Sequence, residues 1–150
     1  MKIIFLAQFP PPIHGLSKAI DTLYHSCLSD KYHFEKINIT SNKRIIQTLF
    51  AILTKNTDVF YFTISQTKGG NWRDILFLAL IALKRRKCIV HLHGGYYRQL
   101  MQEDCAPVQK WINRKLMSRV QIGIVLGDSL RNMFERYIPQ ERIRVVPNCI

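Results

Sequence analysis

Residues 2–17 read KIIFLAQFPPPIHGLS, and the fold is decided here. Residues 2–8 form a continuous apolar run rich in β-branched and aromatic types, the pattern of a strand buried on both faces. A proline-rich loop follows. Beyond it Leu16, Ala19, Ile20, Leu23, Cys27 and Leu28 recur at helical spacing, which predicts an amphipathic helix over about residues 16–29. A doubly buried strand that feeds a helix through a short loop is the opening unit of a parallel α/β sheet.

The same alternation continues along the chain. His33 to Ile39 reads as a second strand. Ile45, Ile46, Leu49, Phe50 and Leu53 form an apolar stripe on a helix whose other face carries Lys43, Arg44, Gln47 and Thr48. Asp58 to Ile64 is a third strand, and Asn71 with Asp74 is expected to cap a helix running to about Lys84. Cys88 to His93 is a fourth strand. Pro107 suits the first turn of a helix with Val108, Trp111, Ile112 and Leu116 inward. Gln121 to Leu126 is a fifth strand. Asp128 or Ser129 then caps a helix with Leu130, Met133, Phe134 and Tyr137 inward. Ile143 to Val146 is a sixth strand, ended by Pro147. The pattern predicts one Rossmann-like domain, a doubly wound parallel sheet with helices on both faces and right-handed crossovers.

The bulk numbers agree with one core. The 150 residues are 47% hydrophobic and 21% charged, values of a folded domain. The net charge of +12 is concentrated at Lys43-Arg44, at Lys84 to Lys87, along Lys110, Arg114, Lys115 and Arg119, and from Arg131 to Arg144. That balance suits polyanionic partners or an anionic membrane surface, and equally a set of solvated helix faces. The cysteines Cys27, Cys88, Cys105 and Cys149 have no metal-type spacing and read as reduced thiols of a cytoplasmic protein. The apolar start is stopped by Gln8 and the prolines, too early for a signal peptide. The longest greasy stretch, Ile75 to Leu83, is far below the roughly 20 residues of a bilayer span.

In an open parallel sheet, ligands bind beyond the carboxyl ends of the strands. Three loops there carry unusual residues. In the first, Gly15 opens a helix where backbone N–H groups and the helix dipole favour an anion, or it is simply the end of a stiff proline-rich loop. Neither dinucleotide nor P-loop spacing is present. In the second, His91-Leu92-His93-Gly94-Gly95, strand period puts both histidines on one face, with His93 nearest the edge. The two glycines permit close approach of another molecule. Zinc binding by the pair lacks an evident third ligand, and no metal or cofactor is expected. The third, Gly127-Asp128-Ser129, is another strand-to-helix turn, or an ordinary cap.

Taken together, PPPIHGLS at residues 10–17, HLHGG at 91–95, VLGDSL at 125–130 and YIPQERIRVVPN at 137–148 resemble the N-terminal domain of family 4 glycosyltransferases of the GT-B type. The resemblance runs the length of the chain in the right order. It implies two facing Rossmann-like domains, an N-terminal one that holds the acceptor and a C-terminal one that holds most of the nucleotide-sugar. By it, His14 and Gly15 lie near the donor diphosphate, and His93 contacts the transferred sugar as the catalytic histidine. Gly94, Gly95, Asp128 and Ser129 fall to sugar or acceptor, and Pro147-Asn148 begins the hinge. His14-Gly15 stands where many members have paired glycines, and Cys149 where a glycine is common. The family's spaced pair of glutamates has no counterpart in residues 1–150, so the resemblance implies a chain completed by a C-terminal nucleotide-sugar-binding domain or subunit.

The function expected is retaining sugar transfer from a nucleotide-sugar to a lipid-linked or saccharide acceptor in surface polysaccharide synthesis. A peripheral position at the inner face of the membrane fits the basic clusters. The alternatives are a non-catalytic binding or assembly subunit, and a basic nucleic-acid-binding domain. The last lacks a basic helix-turn-helix, zinc spacing or aromatics interleaved with a basic strand face, so no nucleic-acid partner is expected.

Overall fold

A computed structural model describes residues 1–147. Six strands form one sheet in the order β2-β1-β3-β4-β5-β6, and every neighbouring pair is parallel. They are β1 (Lys2–Ala7), β2 (His33–Asn38), β3 (Val59–Thr63), β4 (Lys87–Leu92), β5 (Ile122–Val125) and β6 (Ile143–Val145). The helices between them are α1 (Gly15–Tyr24), α2 (Ile45–Thr54), α3 (Lys68–Leu83), the single turn α4 (Tyr97–Gln99) and α5 (Pro107–Met117). This is the Rossmann-like α/β architecture expected from the alternation. Strand order reverses between β1 and β3, so the loops after these two strands diverge and open a crevice at the carboxyl edge.

Strand period divides the core in two. On one face Phe5, Ala7 and Tyr61 pack with Phe9 and with Ile20 of α1, and Ile89 and Ile124 sit half-buried beside them. On the other face Ile4, Leu6, Phe60, Phe62, Val90, Leu92 and Val125 meet residues of α2 and α3, together with Tyr97 and Phe134. Each fully buried aromatic or aliphatic side chain contributes about 1.5–3 kcal/mol. Among the described residues the wrapping is lopsided: α1 is the helix that packs on the first face, and Ile124 of β5 there is only half-buried.

Several helix faces differ from expectation. Thr67, not Asn71, caps α3 by accepting from the Gly70 amide at 3.1 Å. Asn71 and Asp74 are instead buried within the helix. In α5 the expected inward face is only partly kept: Ile112 and Leu116 are half-buried, with Leu116 against the core, but Val108 and Trp111 are exposed while Gln109, Asn113 and Met117 point inward. The reason is polar pairing across the helix contact. Asn71 Nδ2 donates to Asn113 Oδ1 at 3.1 Å, and Gln109 Nε2 and Asn113 Nδ2 each donate to Asn71 Oδ1 at 2.8 Å. An amide network joins α3 to α5, with Gln109 Oε1 left without a partner among the described residues.

In α2 it is Thr48 and Ile52 that are buried, and Ile46, Phe50 and Leu53 face outward. The segment after β5 is a 3-10 helix (Asp128–Met133), and neither Asp128 nor Ser129 caps it: Gly127 occupies the cap without a side-chain bond. Phe134 and Ile138 still reach the core because Gly123 admits them. A Cβ there would stand 2.7 Å from Ile138 Cδ1 and 3.0 Å from Phe134 Cδ2.

Candidate functional site

The parallel sheet carries the loops after β1, β3, β4 and β5 to one edge. A cavity of about 260 Å³ opens there between α1 and the thinly covered sheet face, lined by Ala19, Ile20 and Leu23 on one side and by Tyr61, His91 and His93 on another. Val146 and Pro147, just beyond β6, close it. His91 is the fifth residue of β4, and its register against Thr63 and Ile124 fixes the face it takes. His93 lies two residues on and shares that face.

The electrostatics of the pair are those of a dry site. The His91 and His93 rings stack with centroids 3.9 Å apart. Tyr61 shares a hydrogen bond with Nδ1 of His91. Burial drives the His91 imidazole down to about 3, with the neighbouring His93 adding to the effect, and burial takes His93 down to about 4. Burial likewise raises the Tyr61 phenol. All three are therefore neutral at physiological pH, and His93 is left an uncharged imidazole with one donor and one acceptor nitrogen. Both ring nitrogens of His93 and Nε2 of His91 are buried without a partner among the described residues. Buried polar atoms are ordinarily paired, so three orphans on two stacked rings mark a place where a hydroxyl or water is expected to bind.

Gly94 and Gly95 follow directly. Gly94 has a φ of 145°, and a Cβ there would stand 2.3 Å from Gln66 Nε2. Gln66 is the residue that sequence reasoning missed. Its Nε2 donates to the His93 carbonyl at 3.0 Å and its Oε1 accepts from the Tyr96 amide at 2.7 Å, so one side chain clamps both ends of the glycine turn. The adjacent Ser65 amide donates to Asp74 Oδ2 at 2.6 Å. Burial pushes the Asp74 carboxyl up to about 6, and Arg73 and the Ser65 amide pull it back. It is ionised at neutral pH and anchors the loop after β3. The only signal available was position: Ser65-Gln66-Thr67 follows β3 at the strand-order reversal.

His14 and Gly15 stand at the start of α1, one turn ahead of Ala19. His14 Nδ1 accepts from the Ser17 amide at 3.2 Å, and Ser17 Oγ accepts from the His14 amide at 3.0 Å, a reciprocal cap. One nitrogen of His14 is thus committed to the helix. A Cβ on Gly15 would meet nothing within 4 Å, so the space in front of it is open. Helix α1 and His93 meet at one cavity, although their residues are far apart in sequence. Asp128 and Ser129 do not line the His93 cavity. Both are exposed, and Asp128 Oδ1 accepts from Arg131 Nε at 2.8 Å. Their segment does touch the glycine turn, since a Cβ on Gly95 would lie 3.6 Å from Leu130 Cδ2. Pro147 is described, whereas Asn148 of the expected hinge and Cys149 lie outside the described residues. The other three cysteines are free thiols.

Among the described residues no three His, Cys, Asp or Glu gather to hold a metal ion, and no helix is long and apolar enough to cross a membrane. No family model matches the chain, and neither does any curated protein. Among solved structures, a crystal structure of Anabaena Alr3699/HepE in complex with UDP is similar, with a TM-score of 0.58 and 15% identity. The match covers 100% of this chain and 44% of that one, so the chain spans less than half the neighbour's length. At that identity the likeness is one of fold.

Proposed function

We propose that the chain is the acceptor-side domain of a retaining glycosyltransferase of the GT-B, family 4 type, transferring sugar from a nucleotide-sugar to a lipid-linked or saccharide acceptor in surface polysaccharide synthesis. The observation that carries this reading is His93, neutral and half-buried, whose two ring nitrogens are buried without a partner among the described residues, facing a cavity at the carboxyl edge of a Rossmann-like sheet. The UDP held by the structural neighbour supports a uridine nucleotide as donor carrier.

In this reading the residues divide the work by their chemistry. The N–H groups of Gly15 and Leu16 at the start of α1, with His14 beside them, stabilise the diphosphate as it departs and gathers charge. His93 hydrogen-bonds a hydroxyl of the transferred sugar and fixes its ring over the cavity. Gly94 and Gly95 let sugar or acceptor approach the backbone, and Asp128 and Ser129 border the acceptor side. A complementary C-terminal domain or subunit supplies most of the nucleotide contacts. The domain works in the cytoplasm, docked on the anionic inner leaflet through α2, whose exposed Ile46, Phe50 and Leu53 lie next to Lys43 and Arg44.

The test is His93→Ala, assayed for turnover and for UDP affinity with the protein joined by its nucleotide-binding partner domain. Turnover is expected to fall about 100-fold with UDP affinity little changed, as for loss of a transition-state hydrogen bond. UDP affinity without turnover in the unsubstituted protein would make it a binding subunit, and unchanged turnover in the variant would overturn the role of His93.

A further inference from the structure

A second concavity of about 260 Å³ lies between α5 and the segments that follow β4 and β5, and shares no lining residue with the His93 cavity. Four cationic side chains line it, Arg98, Lys110, Arg114 and Arg136, against one carboxylate, Glu135. Lys110 Nζ donates to the Gln102 carbonyl at 2.7 Å. The guanidinium groups of Arg98, Arg114 and Arg136 have no ion pair or hydrogen bond among the described residues, and Glu135 is engaged only by Gln140, at 3.2 Å.

Local structure compensates these charges only in part: Arg114 lies in the last turn of α5, near its carbonyl end. Lys110 sits in the first turn of α5, at the positive end of the helix dipole. The other basic cluster, Arg85, Arg86, Lys87 and Arg119, follows the C-terminal ends of α3 and α5, where carbonyl groups offset positive charge. Tyr137 adds a phenol to the lining of the first hollow, close enough to Arg114 and Arg136 that both act on its ionisation.

We propose that this hollow is an oxyanion site that takes a phosphoryl or pyrophosphoryl group, gripped by Arg98, Arg114 and Arg136 with the Tyr137 hydroxyl as a neutral donor. Planar guanidinium forks match phosphate oxygens in pairs, and three with no internal partner meet that need. The site is independent of the sugar-transfer reading and stands without it.

The experiment is calorimetric and ³¹P titration of the full chain with inorganic pyrophosphate at fixed ionic strength. Saturable one-to-one binding is expected, weakened about tenfold or more by Arg114→Gln and by Arg136→Gln. Arg119→Gln, in the other basic cluster, is expected to stay within about twofold, because a built site depends on position and not on net charge. Glu135→Gln is expected to tighten binding, an effect that lost folding cannot mimic. Vesicles containing phosphatidic acid separate the carriers: competition with pyrophosphate assigns a lipid headgroup, and vesicle binding indifferent to Arg114→Gln assigns a soluble phosphate. Equal weakening by Arg119→Gln and Arg114→Gln, or no saturation, overturns the proposal.

Discussion

Histidines 91 and 93 remain uncharged at neutral pH because they are packed against each other and away from water, and this couples the site to stability. An unfolded histidine titrates near 6.5, whereas the folded pair takes protons only near 3 and 4. The unfolded chain therefore binds more protons as pH falls below 6.5, and the contribution of these groups, complete above that value, is lost toward pH 4. Asp74 acts in the opposite sense: its folded value near 6 exceeds 3.8, so its contribution is present at low pH and is lost as pH rises through 6. Two histidines outweigh one carboxylate. Denaturant midpoints are expected to drop between pH 7 and pH 5, and less steeply in His93→Gln. Gly94→Ala is expected to cost about 1–3 kcal/mol in the same measurement, since the left-handed backbone and the Gln66 amide both oppose a Cβ. Spacing alone placed His91 and His93 on one face at a strand end. It did not reveal Gln66 or Tyr61, because a clamp between two loops depends on which strands lie side by side, and no local pattern encodes that.

At the level of elements, periodicity located the helices more reliably than it oriented them. In α5 a reading by hydropathy turns Val108 and Trp111 inward, yet the structure buries Gln109 and Asn113, whose amides complete those of Asn71. Such pairing is a property of two helices at once, so a single helix cannot show it. Asn113→Ala is expected to destabilise by about 1–3 kcal/mol, measured by chemical denaturation, because it strands polar atoms of Asn71 in the core. In α2 the apolar stripe is split: Ile45 and Leu49 pack on the core, and Ile46, Phe50 and Leu53 face outward. Co-sedimentation with anionic vesicles is expected to fall several-fold in Phe50→Glu, and binding indifferent to lipid charge would count against docking through this helix.

At the scale of the molecule, the parallel sheet was legible because β1, β3 and β5 are nearly continuous apolar runs, and such runs suit a sheet covered on both sides. The unequal cover was not, since it depends on where each helix comes to rest. Amide hydrogen exchange is expected to be slowest in β1, β3 and β4, which have neighbours on both sides and dense packing, and fastest in the three-residue edge strand β6. The chamber beneath His93 spans that difference. One wall, α1 with Tyr61, rests against strands expected to exchange slowly; the other, Val146 with Pro147, follows the strand expected to exchange fastest. A guest too wide for the resting shape can make room by displacing the yielding wall, leaving the histidine stack and its tyrosine undisturbed.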